Sequence, residues 1–381
     1  MRTLRDFDSG SFLRDTWQQR PLLIRNPWDA WDNPLSPDEL AGLACEEGVD
    51  SRLIRQEDRD WMLEHGPLAD ERFGHLGRGP WTLLVQSVDH YVPEVAALLD
   101  QFRFVANWRV DDVMVSYAVD GGGVGAHFDH YDVFLVQGLG RRRWRIGPRC
   151  DDSTPTLPHD ELRLLAEFEP TDEFVLEPGD ILYVPPGFAH DGIAVGDDCM
   201  TYSIGFRAPS RAELVSGWSG EIVDGLGDDD RYTDPGAAPQ ANAGEIGADA
   251  LAELHGMVTD PVGDRAAFAR WFGAFTTEPK SALDWRPETV PGTDALRDAI
   301  AAGTGLLRNP ASRFAFVREG AGRVALFVDG QAYDCDGAAA GVAEAICAAS
   351  TIEPDPAVAD NAEVMALLAE LIAEGALALD L

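Results

Sequence analysis

Between residues 113 and 206 five β-rich stretches follow one another: VMVSYAV, DVFLVQGLG, RRRWRIG, EFVLEPGDILYVPPG and MTYSIGFRA, with glycine and proline between them. Segments this short and this closely spaced cannot each bury an apolar face alone, and the turn formers at their ends leave no room for intervening helices. They have to pack against one another, which predicts a β-sandwich or barrel.

The flanks read differently. The first hundred residues mix helical pattern with short apolar runs, RPLLIRNPW and VPEVAALLDQF among them, and read as α+β. After residue 208 the strand signal fades into the acidic, glycine-rich DGLGDDDRYTDPGAAPQANAG, and amphipathic helices follow at ADALAELHGMV and DRAAFARWFGAF. That composition predicts a helical interface module over 209–276. Residues 277–381 read as helix, β-hairpin and helices, a small winged-helix-like unit. With 381 residues the chain is long enough for several cores, and no repeat of fixed period is visible.

The stretch GGGVGAHFDHYDVF follows the first of these β runs. On an extended strand alternate side chains share a face, so His127 and Asp129 are expected on one side and Phe128 and His130 on the other. An imidazole and a carboxylate held this way are two members of a facial triad, an arrangement that binds a divalent metal and leaves coordination positions open. Of the eight histidines, His190 in EPGDILYVPPGFAHDG best completes it, because it follows a β run and a proline–glycine turn. His65, His75, His90, His159 and His255 lie in polar or helical stretches or in loops, and His130 has the wrong parity. Ligand type leaves iron, manganese, nickel and zinc all open.

In GRRRWRIG, Arg142 shares its face with Trp144 and Ile146, whereas Arg141, Arg143 and Arg145 share the other. A guanidinium among apolar side chains calls for an anion, and its fork matches a carboxylate. Beside an open Fe(II) site the fitting anion is the distal carboxylate of 2-oxoglutarate, with Ser116 as a second donor. The alternatives are that Arg142 reaches solvent or pairs with Asp132 or Glu173. Tyr117, Tyr131, Phe134 and Trp144 are candidates to wall the pocket, Phe134 being better suited to the core. Gly121, Gly122, Gly123 and Gly125 are followed by no helical pattern, so a phosphate loop is not expected. They suit a tight backbone that a substrate chain approaches closely. Asp120, just before them, either offers a carboxylate to a basic substrate or forms the turn.

Sixty-six acidic residues against 30 basic ones leave a net charge of −36 and a pI near 4.3. Such a field repels nucleic acid and attracts a basic protein; it also serves solubility alone. The five cysteines form no CxxC pair, which fits reduced structural thiols. No basic patch followed by an apolar export segment stands near the N-terminus, and no apolar run approaches the ~20 residues of a membrane span. A soluble cytoplasmic protein without a membrane partner is expected.

Taken together, GGGVGAHFDHYDVFLVQGLGRRRWRIG, PGDILYVPPGFAHDG and WQQRPLLIRNP resemble the JmjC-type cupin oxygenases. More closely, the chain is similar to the bacterial ribosomal oxygenases that hydroxylate an arginine of a large-subunit ribosomal protein. The resemblance spans nearly the whole chain. It implies an α+β fold with a double-stranded β-helix (jelly-roll, cupin) catalytic domain over 1–208, a helical dimerisation module over 209–276 and a winged-helix-like domain over 277–381. It implies Fe(II) held by His127, Asp129 and His190 as the catalytic centre, 2-oxoglutarate held by Arg142 and Ser116, and O2 as the oxidant. Asp120, Tyr117 and Tyr131 are the candidate substrate contacts, the substrate being a basic ribosomal protein and the enzyme a homodimer that binds no nucleic acid directly. Three rivals remain: a JmjC hydroxylase of a histidine or lysine in another basic protein, a metal cupin that is not an oxygenase, and a regulatory protein working through its C-terminal unit. The acidity and the single lysine, Lys280, depart from the family in composition and leave the motifs intact.

Overall fold

The computed structural model describes residues 4–57, 60–77, 79–280 and 284–380. The chain divides into two compact units. The first runs to Ala208 and includes Lys280–Arg286 and Arg308–Ala311; the second takes Pro209–Pro279, Pro287–Leu307 and Ser312–Leu381. The helical stretch 209–276 therefore shares a unit with most of 277–381, and the segment beginning at Lys280 belongs with the first.

In the first unit, helices α1 (Ser9–Asp15), α2 (Pro37–Cys45), α3 (Asp70–Phe73) and α4 (Pro93–Ala96) accompany nine strands: β1 (Leu22–Ile24), β2 (Ser51–Glu57), β3 (Asp60–His65), β4 (Trp81–Val85), β5 (Val110–Ala118), β6 (Asp132–Arg149), β7 (Asp172–Leu176), β8 (Ile181–Val184) and β9 (Phe188–Phe206). α2 begins where its residues dictate: Ser36 caps the Glu39 amide, Glu39 caps Ser36 in return, and Pro37 sits where no amide is needed. All strand pairs are antiparallel, in the order β1-β8-β6-β9-β5-β4-β2-β3, with β7 also on β6. The sheet thus starts well before residue 113, its first four strands coming from the N-terminal hundred residues.

β6 and β9 are the backbone of the fold. Each is long, and they pair along nearly their full length; β6 meets β8 near its start and β7 near its end, while the second half of β9 meets β5. Register shifts at Gln137/Leu139 and Leu139/Arg141 let the pair change direction. This is the double-stranded β-helix that the sequence resemblance implies. Phe12, Trp17, Phe102, Phe134, Tyr183 and Phe206 pack edge to face and tilted in its main core, so Phe134 is a core residue. A smaller interior cluster holds Leu135, Trp144, Ile146, Leu176, Leu182 and Val184.

The second unit begins with α5 (Arg211–Gly225), α6 (Ala248–Val262) and α7 (Arg265–Thr277); the rings of Trp218, Phe268 and Trp271 join α5 to α7, and Trp218 Nε1 donates to the Val262 carbonyl of α6 at 3.2 Å. It continues through α8 (Thr293–Ala301), β10 (Leu306–Arg308), β11 (Phe314–Gly320), β12 (Arg323–Val328), β13 (Gln331–Asp336), α9 (Gly337–Ala348), β14 (Thr351–Ile352), α10 (Ala362–Ala373) and β15 (Leu377–Leu379). The expected hairpin is a three-stranded meander, β11-β12-β13, because DG at 329–330 supplies a second turn. Helices α8, α9 and α10 with this meander make the winged-helix-like part of the unit. Among the described residues no helix is long and apolar enough to cross a membrane.

Candidate metal centre and cosubstrate pocket

Pro185, Pro186 and Gly187 turn the chain from β8 into β9, and His190 stands at the start of β9. The Gly187 amide donates to the Asp129 carbonyl at 2.7 Å, which pins the HFD loop beside that turn. His127 and His190 face each other as one isolated bridge, the His127 amide donating to the His190 carbonyl at 3.0 Å and the His190 amide returning a bond at 2.8 Å. His127 and Asp129 therefore do not lie on a regular strand. The glycines ahead of them keep the segment a loop, and a single two-bond bridge does what a ladder was expected to do. At Gly125 the backbone is left-handed (φ +84°), and a Cβ there would meet the ring of Trp61 and the side chain of Leu164 at 2.9 Å.

The imidazole rings lie 4.3 Å apart, centre to centre. Nδ1 of His127 bonds the Gly125 carbonyl at 2.9 Å, and Nδ1 of His190 bonds the Phe188 carbonyl at 2.9 Å. Each carbonyl requires the proton on Nδ1, so each Nε2 keeps its lone pair. Both lone pairs converge on Asp129, whose Oδ2 is 3.6 Å from His127 Nε2 and 3.5 Å from His190 Nε2. Burial, and then the neighbouring His127, push the His190 imidazole down to about 4, so it stays neutral near pH 7. Three ligand atoms within 4.8 Å of one another fit one divalent ion, whose bonds to nitrogen and oxygen run about 2.0–2.2 Å. Among the described residues this is the one such grouping of metal-binding side chains. His190 is nearly enclosed while Asp129 is 41% exposed, so the centre opens to one side.

Arg142 is 3% exposed. Its Nε donates to Cys199 Sγ at 3.3 Å, its guanidinium lies 5.8 Å from the Trp144 ring centre, and its Nη2 is buried with no acceptor. Neither alternative partner reaches it. Asp132 is taken by Arg109 at 2.9 Å, Gln18 at 2.8 Å and Tyr183 at 2.5 Å, and Glu173 is exposed opposite Arg145 in the ladder. A cation held by a thiol and a ring, with a donor to spare, is suited to an anion. Ser116 is buried on β5 and donates to the Thr201 carbonyl at 3.5 Å, long enough to be exchanged for a better acceptor. Cys199, Thr201 and Gln137 form the rest of this polar face, Gln137 donating to Cys199 Sγ at 3.5 Å and accepting from Thr201 at 3.2 Å. Scattered cysteine spacing gave no sign of Cys199; only the β6–β9 pairing reveals it.

The three candidate substrate residues are placed differently. Tyr117 is next to Ser116 on β5 and so faces the opposite way, against the main core, with its hydroxyl donating to Asp198 at 2.7 Å; it does not wall the pocket. Asp120 accepts from the Gly196 amide at 2.7 Å, the turn-holding alternative. Tyr131 is 40% exposed, two residues beyond Asp129. The other histidines stay apart, with His65 on Glu161 at 2.6 Å and His130 beside Asp152 at 3.3 Å.

A JmjC domain matches residues 97–214, and a ROXA-like winged helix matches residues 257–378. The ribosomal protein uL16 3-hydroxylase of Escherichia coli (strain K12) is 42% identical over 298 residues, 78% of this chain and 79% of that protein. Among solved structures, E. coli ycfD aligns with a TM-score of 0.90 at 35% identity over 99% of both chains. YcfD, a ribosomal oxygenase from E. coli in complex with cobalt and 2-oxoglutarate, aligns with a TM-score of 0.87, again at 35% identity and 99% of both.

Proposed function

This chain belongs to the JmjC-class ribosomal oxygenases and is a 2-oxoglutarate-dependent hydroxylase, and on that footing we propose that it hydroxylates an arginine side chain of the large-subunit ribosomal protein uL16, with Fe(II) held by His127, Asp129 and His190. The E. coli relative is a uL16 hydroxylase, which supports the choice of protein; arginine, as the residue hydroxylated, is the finer step. The observation that carries the reading is one constellation: two imidazoles with unprotonated Nε2 converge on a carboxylate, and a buried guanidinium nearby has a donor without an acceptor.

When bound, iron couples oxidative decarboxylation of 2-oxoglutarate by O2, giving succinate and CO2, to insertion of the second oxygen atom into a substrate C–H bond. The protein's residues contribute placement. The Gly125 and Phe188 carbonyls hold both imidazoles in the metal-binding tautomer, and Asp129 supplies the one negative charge of the donor set. Arg142 grips the distal carboxylate, with Ser116 beside it. Leu135, Ile146, Leu176 and Leu182 line the interior and keep water out. A net charge of −36 draws a basic ribosomal protein toward the centre. Val215 and Val223 on α5, and Leu251, Leu254 and Val258 on α6, are exposed apolar side chains, and they are the proposed homodimer contact.

The test is turnover with Fe(II), 2-oxoglutarate and purified uL16. Expected results are succinate release and one added oxygen on uL16, located by tandem mass spectrometry at an arginine. His127→Ala should lose metal binding, and Arg142→Ala should raise the KM for 2-oxoglutarate. Coupled turnover that survives both substitutions refutes the site; oxygen found on a histidine or lysine refutes the substrate residue.

A further inference from the structure

Two buried hydrogen-bond donors on the inward face of β6 have no acceptor in the protein: Nη2 of Arg142 and the indole Nε1 of Trp144. They are two residues apart and share the face. Trp144 is 5% exposed, and the apolar cluster around it, including Ile146, Leu176 and Leu182, offers an N–H nothing to donate to. An unmet buried donor of this kind is destabilising, and a Phe at this position would avoid it.

The ring is set by its neighbours. Trp144 pairs with Gly192 across the ladder, and a Cβ at Gly192 would lie 2.5 Å from Cζ3, 2.6 Å from Cη2 and 2.8 Å from Cε3. The benzene edge therefore rests on the β9 backbone, in room that only glycine leaves. Nε1 lies on the other edge of the indole, turned away from that backbone. The ring centre is 5.9 Å from the His190 ring and 5.8 Å from the Arg142 guanidinium carbon. The indole thus stands next to both the metal imidazole and the anion-binding cation.

We propose that Trp144 is a cosubstrate-binding residue, its Nε1–H donating to an oxygen of the same carboxylate that Arg142 grips. This rests on the reading of the interior as a 2-oxoglutarate pocket. The carboxylate at the metal end has the metal to satisfy it, whereas the distal one has four lone-pair directions, of which an Arg142 fork fills two and the Ser116 hydroxyl one. A further neutral donor, on a rigid ring, adds selectivity for a dicarboxylic 2-oxo acid without adding charge.

The test separates the two ends of the ligand. With Zn(II) as a redox-inert metal, the affinities for 2-oxoglutarate and for 2-oxopentanoate, which keeps the 2-oxo acid and replaces the distal carboxylate by a methyl group, are measured by calorimetry for wild type and Trp144→Phe. The substitution should weaken 2-oxoglutarate by about tenfold or more, leave 2-oxopentanoate within about twofold, and leave Zn(II) affinity unchanged. In wild-type protein labelled with 15N-tryptophan, the Trp144 indole N–H, assigned by its loss in the variant, should shift downfield with 2-oxoglutarate and stay in place with 2-oxopentanoate. Unchanged 2-oxoglutarate affinity, equal weakening of both acids, or a stationary indole resonance overturns the proposal. Wild-type protein that takes up neither acid, with Arg142→Ala no different, would instead overturn the pocket reading, and the proposal with it.

Discussion

Asp89 is a carboxyl group 3% exposed, and burial pushes it up to about 7, with the neighbouring Asp112 adding to the rise and Lys280 opposing it. Its Oδ1 accepts the Val113 amide at 2.8 Å, and His90 lies 3.9 Å away. A carboxyl whose folded pKa is raised holds its proton better in the native state, so its contribution to stability is complete below about pH 4 and is lost as pH rises through about 7. The slope is on the order of 1 kcal/mol per pH unit in that window. Asp89→Asn, which imitates the protonated form, should raise Tm at pH 8 and leave it nearly unchanged at pH 4. A variant with the wild-type pH slope would show that Asp89 titrates normally. The same logic keeps His190 neutral, but there the consequence is a ready metal ligand.

At the scale of elements, the strongest local instructions are the helix starts. Ser36 and Glu39 close a reciprocal cap on α2, with the Glu39 amide 3.3 Å from Ser36 Oγ and the Ser36 amide 2.8 Å from the Glu39 carboxylate. Ser36→Ala should cost about 1 kcal/mol, read as a lower urea midpoint, with kcat unchanged because α2 carries none of the metal or cosubstrate residues. A substitution that abolished folding would mean the cap also anchors the sheet. The strands behave differently. β5 buries both faces, Val113 and Val115 toward the main core and Ser116 and Ala118 toward the interior, so neither face reads as solvent and alternation alone does not say which side carries chemistry.

At the scale of the whole molecule, α5 and α6 leave a stripe of valine and leucine uncovered on a protein otherwise rich in carboxylates. Apolar area of this kind is ordinarily buried against a partner, and a second copy is the proposed one. Leu254→Glu combined with Val258→Glu should convert a two-chain species to one chain in sedimentation equilibrium, leaving the fold intact by circular dichroism. A wild-type protein that sediments as one chain at every concentration would rule the contact out. Net charge works the other way, since repulsion between copies at −36 each opposes association and the proposed hydrophobic contact has to offset it.

Local pattern carried far in this chain. The spacing of short β segments is enough for a barrel, period two in RRRWRI singles out Arg142 as the buried arginine, and HFD with a distant histidine after PPG picks out the three side chains whose ligand atoms the fold brings within 4.8 Å of one another. Those signals are legible because strand parity and turn chemistry are properties of neighbours along the chain. What faces what across the sheet is not such a property. The bridge between His127 and His190, the thiol of Cys199 under Arg142, the core-facing side of Tyr117 and the seat of Trp144 on Gly192 all depend on how β6 and β9 align. A shift of one residue in that register would exchange every inward side chain for an outward one, so these contacts exist only once the long pair has closed.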